Sequence, residues 1–397
     1  MASPAPADRF AVLEAKRTLK MARSSHAYVR GNTVKFYEWL DASPAARRVP
    51  VGPAIWICGD CHLGNLGPIN DGNGRIEVQI RDLDQAVIGN PAHDLIRLGL
   101  SLATAARGSD LSGVTIAHMI EQMVEGYAAA LGDPIGGEAG PEPEVVRTVR
   151  RRALGRRWRD LAKERLRTTE PRLPIGRRFW TLDPTERDTL ADLLAAPEVS
   201  GLILSLDHKD RARTVRLVDA AYWMKGCSSL GLLRFAVLAG LKNARNRSDY
   251  ALVDLKEAVA PVAPAARGAA MPRDPAARVV AAAQALSPHL GSRMVATRAF
   301  GRSLFMRELS PQDLKLEIDQ FTTGEAVKAS HYLAFVVGKA HARQMDDTVR
   351  RDWAAVLDRD RRSTIDAPTW LWESIVSLAG SHEAGYLDHC RRYALAG

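Results

Sequence analysis

The sequence predicts an α+β protein in which a strand-rich middle separates two helix-rich ends. Apolar stripes at helical spacing run through residues 10–41, 94–131 and 324–345. Three β-branched and aromatic runs, TVRLVDAAYWM, LLRFAVLAGL and YALVDLKEA, crowd into 213–258. A further strand pair, MVATRAF and SLFMREL, follows a Pro/Ala-rich linker at 259–276.

Taken in order, residues 10–41 read as helix, break and helix. Phe10, Leu13 and Leu19 form one apolar face and Phe36, Trp39 and Leu40 another, with an irregular polar joint, SSHAYVRG, at 24–31. Ala54 to Cys58 reads as a short buried strand running into Gly59-Asp60. Leu66 to Ile69 and Arg75 to Ile80 flank Asn-Asp-Gly-Asn-Gly, a strong hairpin signal. Residues 94–106 and 114–131 are helical; 140–205 is Arg-rich and helical, broken by Pro171, Pro174 and Pro184. Turns at 226–231 and 242–249 separate the long strands, and helices are expected at 276–286, 324–345 and through the tail, 350–395. The resulting division is 1–205, 206–320 and 321–397, with no internal repeat.

Composition narrows the function classes. Of 397 residues 46% are hydrophobic and 25% charged, which is globular usage. No apolar run reaches the roughly 18–20 residues of a membrane span, and MASPAPADRF lacks the basic flank and apolar stretch of a secretory signal. Four scattered cysteines fit a reducing cytoplasm, the expected location. Cys58-Gly-Asp-Cys61 reads C-x-x-C but lacks the second half of a zinc set, so small buried thiols are the plainer account. The net charge of +9 concentrates between Arg147 and Arg178. Only Trp158 and Trp180 lie near it for stacking, which favours a solvated face or a phosphate-attracting rim over nucleic-acid binding. Oligomeric state is not legible.

Chemistry concentrates at 58–65 and 82–84. A strand delivers Asp60 on a Gly turn, Asn65 follows five residues later, and Asp82 ends the next hairpin. Phosphoryl transfer needs this inventory: a carboxylate at the acceptor hydroxyl, and Asn plus Asp to hold magnesium against phosphates. Oxygen ligands suit such a hard cation.

Gly59-Asp-Cys-His-Leu-Gly-Asn65, a hairpin, Asp82-Leu-Asp84 and Gly89-Asn-Pro-Ala-His-Asp-Leu95 together resemble the aminoglycoside-phosphotransferase branch of the kinase superfamily. More closely they resemble the bacterial DUF2252 proteins, a likeness that extends to SSHAYVRG and to RELSPQDLKLEI at 307–318. The resemblance implies a catalytic Asp60, a loop-supporting His62, metal-binding Asn65 and Asp82, and a structural Asp94. Asp84 stays open between a second metal contact and a solvated carboxylate.

A kinase also needs a glycine loop and a strand lysine, which normally precede the catalytic loop. Here the candidates follow it: Gly226, Ser228, Ser229 and Gly231 between two strands, and Lys256 at the end of the next. The glycines also suit a plain hairpin turn and the lysine a surface position. The order implies a two-lobed, circularly permuted kinase-like fold, since 206–348 followed by 51–205 restores the usual sequence of motifs, with 307–312 as the hinge. His341, near the end of the helix before the cut, reads as packed or capping. One departure stands out: Ala277 to Gln284 offers no Glu to pair with Lys256, so another acid such as Glu308 would have to serve.

The expected activity is ATP- and magnesium-dependent transfer of a phosphoryl group to an unidentified small-molecule acceptor. A nucleotide-binding pseudokinase and a nucleotidyl transferase would use nearly the same residues. A metallophosphoesterase would need an Asp-x-His upstream of Asp60, which is missing.

Overall fold

Helix starts are set by side-chain caps. Ser24, Asn32, Asn90, Asp183 and Asp274 each accept a hydrogen bond from a backbone N–H two or three residues on, satisfying a group the helix leaves unpaired. The Ser24 cap turns the expected irregular joint into a short helix. The computed structural model describes residues 3–71, 74–133, 137, 139–154, 172–205, 212–226, 230–243, 248–310, 313–314, 322–359, 361–362 and 365–393.

In chain order the N-terminal part comprises α1 (Arg9–Met21), α2 (Ser25–Gly31), α3 (Thr33–Ala42), β1 (Ile55–Ile57), β2 (Leu66–Asn70), β3 (Ile76–Ile80), β4 (Val87–Gly89), α4 (Pro91–Arg107), α5 (Gly113–Gly132) and α6 (Glu144–Leu154). There follow β5 (Phe179–Trp180), α7 (Pro184–Ala195), α8 (Pro197–Ser205), β6 (Ala212–Trp223), β7 (Arg234–Asn243), β8 (Ser248–Glu257), α9 (Pro275–Leu286), α10 (Pro288–Gly291), β9 (Met294–Ala299) and β10 (Arg302–Glu308). The chain closes with α11 (Thr323–Ala342), α12 (Asp347–Asp358), β11 (Arg361–Arg362), β12 (Ile365–Pro368) and α13 (Thr369–Tyr393).

The α+β expectation holds. The main sheet has six antiparallel strands in the order β5-β6-β7-β8-β10-β9. Both of its faces are covered, which is why β7 reads as an unbroken apolar run. Phe235, Val237, Ala239 and Leu241 face one core, while Ala236 and Leu238 face the other. The first core also takes Leu13 of α1 and Leu190, Leu194, Val199 and Ile203 of α7 and α8. The expected boundary at 205 therefore separates segments that share one core.

A second, larger core unites β1–β4 with α4, α5, α11 and α13. The α5 and α11 backbones approach so closely that a Cβ on Gly126 would lie 2.1 Å from the His331 carbonyl oxygen. Trp39 of α3 donates to Ser377 of α13 at 3.0 Å, bringing the two chain ends into this core.

Two local expectations differ. Phe179–Trp180, inside the stretch expected to be helical, pairs with Trp223 and Tyr222 as a sheet edge. The tail is two helices separated by β12, which pairs with β11. Much of the Arg-rich segment, at 155–171, and residues 311–312 of the expected hinge lie outside the described residues. Among the described residues no helix is long and apolar enough to cross a membrane.

Candidate functional site

The loop after β1 is held from below by Asp94 in the first turn of α4. Its carboxylate accepts from the backbone N–H groups of Cys58 at 2.7 Å and Gly59 at 2.9 Å. His341 Nε2 lies 3.1 Å from the same carboxylate, and its Nδ1 lies 2.9 Å from the Tyr127 hydroxyl, which accepts from Trp353 at 3.1 Å. Four helices thus brace one turn, and His341 is a packed bracing residue. Gly59 itself sits at φ +72°, and a Cβ there would lie 2.2 Å from the Gln85 carbonyl oxygen, so the turn admits only glycine.

That turn presents Asp60, only 6% exposed, with its Oδ1 bonded by Arg97 Nε at 2.9 Å. Arg97 also donates to the Val29 carbonyl at 2.6 Å, tying α2 to the loop. Burial raises the Asp60 carboxyl above its usual range, with Arg97 opposing. His62 Nε2 stands 4.0 Å from Asp60 Oδ2, and burial, Arg30 and Arg97 keep the ring well below its ordinary pKa, hence neutral. Asn65 Nδ2 donates to the carbonyls of Asp60 at 3.0 Å and Asp82 at 3.4 Å, clamping loop to hairpin.

Asp82 and Asp84 meet Lys256 of β8. The lysine, whose side chain is 4% exposed, has Nζ 3.4 Å from Asp82 Oδ1 and bonds Asp84 Oδ2. Partial shelter from water would raise Asp82, but Lys256, Arg307 and Arg234 outweigh it and hold the carboxyl well below its usual range. Asp84 is pushed up by burial and by the charge of Asp82, against Lys256. The acids serving Lys256 are therefore Asp84 and Asp82. Glu308 is not among them, because the ladder sets it opposite Val253, three residues or about 10 Å along β8. Asp84 is not a solvated carboxylate: its Oδ1 is buried without a partner among the described residues. Two residues back on the same strand, the fully buried Asp254 accepts from Arg234 at 2.8 Å and from Arg307 at 3.0 Å.

These groups surround a cleft of about 1030 Å³. Asp60, His62, Asn65 and Asp82 form one wall, and Lys225, Gly226, Arg234 and Arg307 contribute from the sheet side. Lys16, Lys20, Arg23 and Arg30 enter from α1 and α2, so that nine described Lys and Arg side chains face two carboxylates. Gly226 accepts from Lys20 Nζ at 2.6 Å through its carbonyl. Gly231, at φ +106°, packs on the Phe10 ring away from this lining. Ser228 and Ser229 lie outside the described residues. Lys256 stands behind Asp82, in a small void shared with Arg81.

Arg97 and Arg307 escaped the sequence reading. Arg97 had a signal, as the one charge inside the otherwise apolar LIRLGLSLATAA of a buried helix. The thiols of Cys58 and Cys61 are both buried, and Cys58 Sγ points at the Asp82 carbonyl at 3.5 Å, which suits packing.

A cation fits the donor set. Asn65 turns its amide nitrogen inward and keeps its oxygen, and Asp82 keeps an oxygen beyond Lys256. Among the described residues no cluster of three or more His, Cys, Asp or Glu side chains could hold a metal. A cation here would therefore complete its shell from phosphate and water, the habit of magnesium.

Fold and site together define an α+β protein with a cation-lined cleft over a braced Gly-Asp turn. Over residues 9–392 the chain matches the family described as "Uncharacterized protein conserved in bacteria (DUF2252)", and it belongs to that family. Searches of the curated proteins and of the solved structures return no match.

Proposed function

We propose that this protein is a kinase-like phosphotransferase that uses ATP and magnesium to phosphorylate a small-molecule acceptor, with its two lobes in circularly permuted order. The observation that carries the reading is the meeting of Asp60, Asn65 and Asp82 in one cleft, with Lys256, 174 positions from Asp82, at 3.4 Å from that carboxylate. Packing alone gives no reason to gather a base, a metal-binding amide and carboxylate, and a lysine at one basic cleft.

In the proposed reaction the acceptor hydroxyl oxygen bonds to the γ-phosphorus as the bond to the bridging oxygen breaks, and ADP leaves. The hydroxyl proton passes to Asp60, whose raised pKa brings it nearer the range of an effective base. Arg97 holds Oδ1 and so leaves Oδ2 for the acceptor. Asn65 and Asp82 would hold magnesium, which offsets charge on the phosphates. Lys225, Arg234 and Arg307 supply further positive charge along the sheet wall.

The test pairs nucleotide affinity with product analysis. Asp60→Asn should leave ATP affinity nearly unchanged and lower turnover by roughly 10²–10⁴-fold, whereas Asn65→Ala should weaken both. Equal turnover in wild type and Asp60→Asn, with binding intact, points to a pseudokinase. Release of pyrophosphate in place of ADP points to nucleotidyl transfer.

A further inference from the structure

We infer that the acceptor itself carries a phosphate group, held by Arg30 and Arg23 beside His26 and His62, next to Asp60. The inference rests on the reading of Asp60 as the group that faces the acceptor.

Charge is the first reason. Both carboxylates lining the cleft are already paired with cations that do not line it, Asp60 with Arg97 and Asp82 with Lys256. Of the nine cations of the lining, Arg234 and Arg307 share the buried Asp254, yet the lining as a whole keeps a positive excess, and anions concentrate where such a field converges.

Their distribution is the second. Lys225, Arg234 and Arg307 come from the sheet and the segment after β6, whereas Arg23 follows α1 and Arg30 ends α2. Arg30 lies against the catalytic turn: a Cβ on Gly64 would be 2.9 Å from its guanidinium carbon. Neither Arg23 nor Arg30 has an ion pair among the described residues. An unpaired, planar guanidinium fork beside an open cleft matches the oxygens of a phosphate.

The third reason is unmet hydrogen bonding. His62 is 5% exposed and lines the cleft, yet its Nδ1 has no partner among the described residues, and the same holds for Nδ1 of His26. Both rings line the cleft beside Arg30, and turning a ring about its Cβ–Cγ bond can bring its unsatisfied nitrogen to a ligand's oxygen. The volume agrees: about 1030 Å³ is at the top of the roughly 300–1,000 Å³ typical of a single-ligand pocket.

The experiment measures binding by calorimetry on the full chain without nucleotide, using matched pairs: glycerol and glycerol 3-phosphate, glucose and glucose 6-phosphate, and inorganic phosphate as a separate arm. The expected result is at least about tenfold tighter binding of the phosphorylated member. Arg30→Gln removes that preference, Arg30→Lys retains part of it, and both leave magnesium–ADP affinity within about twofold. Inorganic phosphate binding as tightly as the esters supports the anion site and shows that the ester's remainder adds nothing. Equal binding within each pair, or Arg30 variants that lose magnesium–ADP affinity in step, overturns the inference. If magnesium–ADP binds while no phosphoester does, only the acceptor inference fails. If Arg30-dependent phosphate binding is present but no nucleotide binds, the phosphotransferase reading fails instead.

Discussion

Lys256 Nζ stands 3.4 Å from Asp82 Oδ1 and also bonds Asp84, so one ammonium bridges two carboxylates of the 82–84 loop from a strand 172 and 174 positions away. The β8 ladder, which opposes Lys256 to Arg234 and Phe305, fixes where that ammonium emerges.

Asp82 is at once a partner of Lys256 and the proposed metal ligand, so its replacement should separate folding from metal binding. ATP with magnesium at a hundredfold excess over Kd should add about 2.7 kcal/mol of stability and raise the melting temperature. ATP alone should add little. Asp82→Asn should abolish the magnesium increment and keep the fold, since Asp84 still pairs with the lysine. A melting temperature indifferent to nucleotide and magnesium at millimolar concentration removes the support for this site.

Arg97 has a side chain with no solvent exposure and anchors both Asp60 and α2. Arg97→Met should leave the Asp60 charge buried and unpaired, costing about 3–5 kcal/mol. Adding Asp60→Asn should recover part of that loss, because the uncompensated charge is then gone. Chemical denaturation of the two single variants and the double variant measures the coupling, and additive losses would contradict it.

Gly59→Ala should destabilise by at least about 1–2 kcal/mol from the left-handed backbone alone, with the 2.2 Å approach to Gln85 adding to it. The change displaces the turn that presents Asp60, so turnover should fall further than stability explains. A control at Gly74, also at positive φ but with no described atom within 4 Å, should show the backbone cost alone.

Acid should unfold this protein through its histidines before its carboxylates. Burial lowers His26 and His93 to about 4 and His382 to about 3, from the ordinary 6.5. The unfolded chain takes up these protons first, so the stability is full above pH 6.5 and lost as pH falls from 6.5 towards 4. Asp60 and Asp84, raised by burial, act in the opposite sense, but they are fewer. His382, 2% exposed with neither ring nitrogen partnered among the described residues, is the variant to make. His382→Leu should flatten the pH dependence by up to about 1.4 kcal/mol per pH unit. Denaturation midpoints that do not move between pH 7 and 5 in the wild type would count against this account.

What the sequence determined by itself is local. The Asn-Asp-Gly-Asn-Gly turn signal marked the β2–β3 hairpin, apolar runs marked the long strands, and the spacing of Asp60, Asn65 and Asp82 along one strand–loop–hairpin unit was readable because all three lie within 23 residues. Tertiary structure alone decided the partners. Nothing near Asp60 in sequence names Arg97 as the group on its carboxylate, and nothing near Lys256 names Asp84 in place of Glu308. The same is true of α1 and α7–α8 sharing the sheet's core, and of Asp254 serving two arginines. The physical reason is one of range. Backbone propensity, capping and side-chain alternation act over a few residues and leave a pattern in the chain. A buried charge finds its counter-charge wherever packing brings one within about 3 Å, and that distance leaves no trace in the spacing of the residues along the sequence.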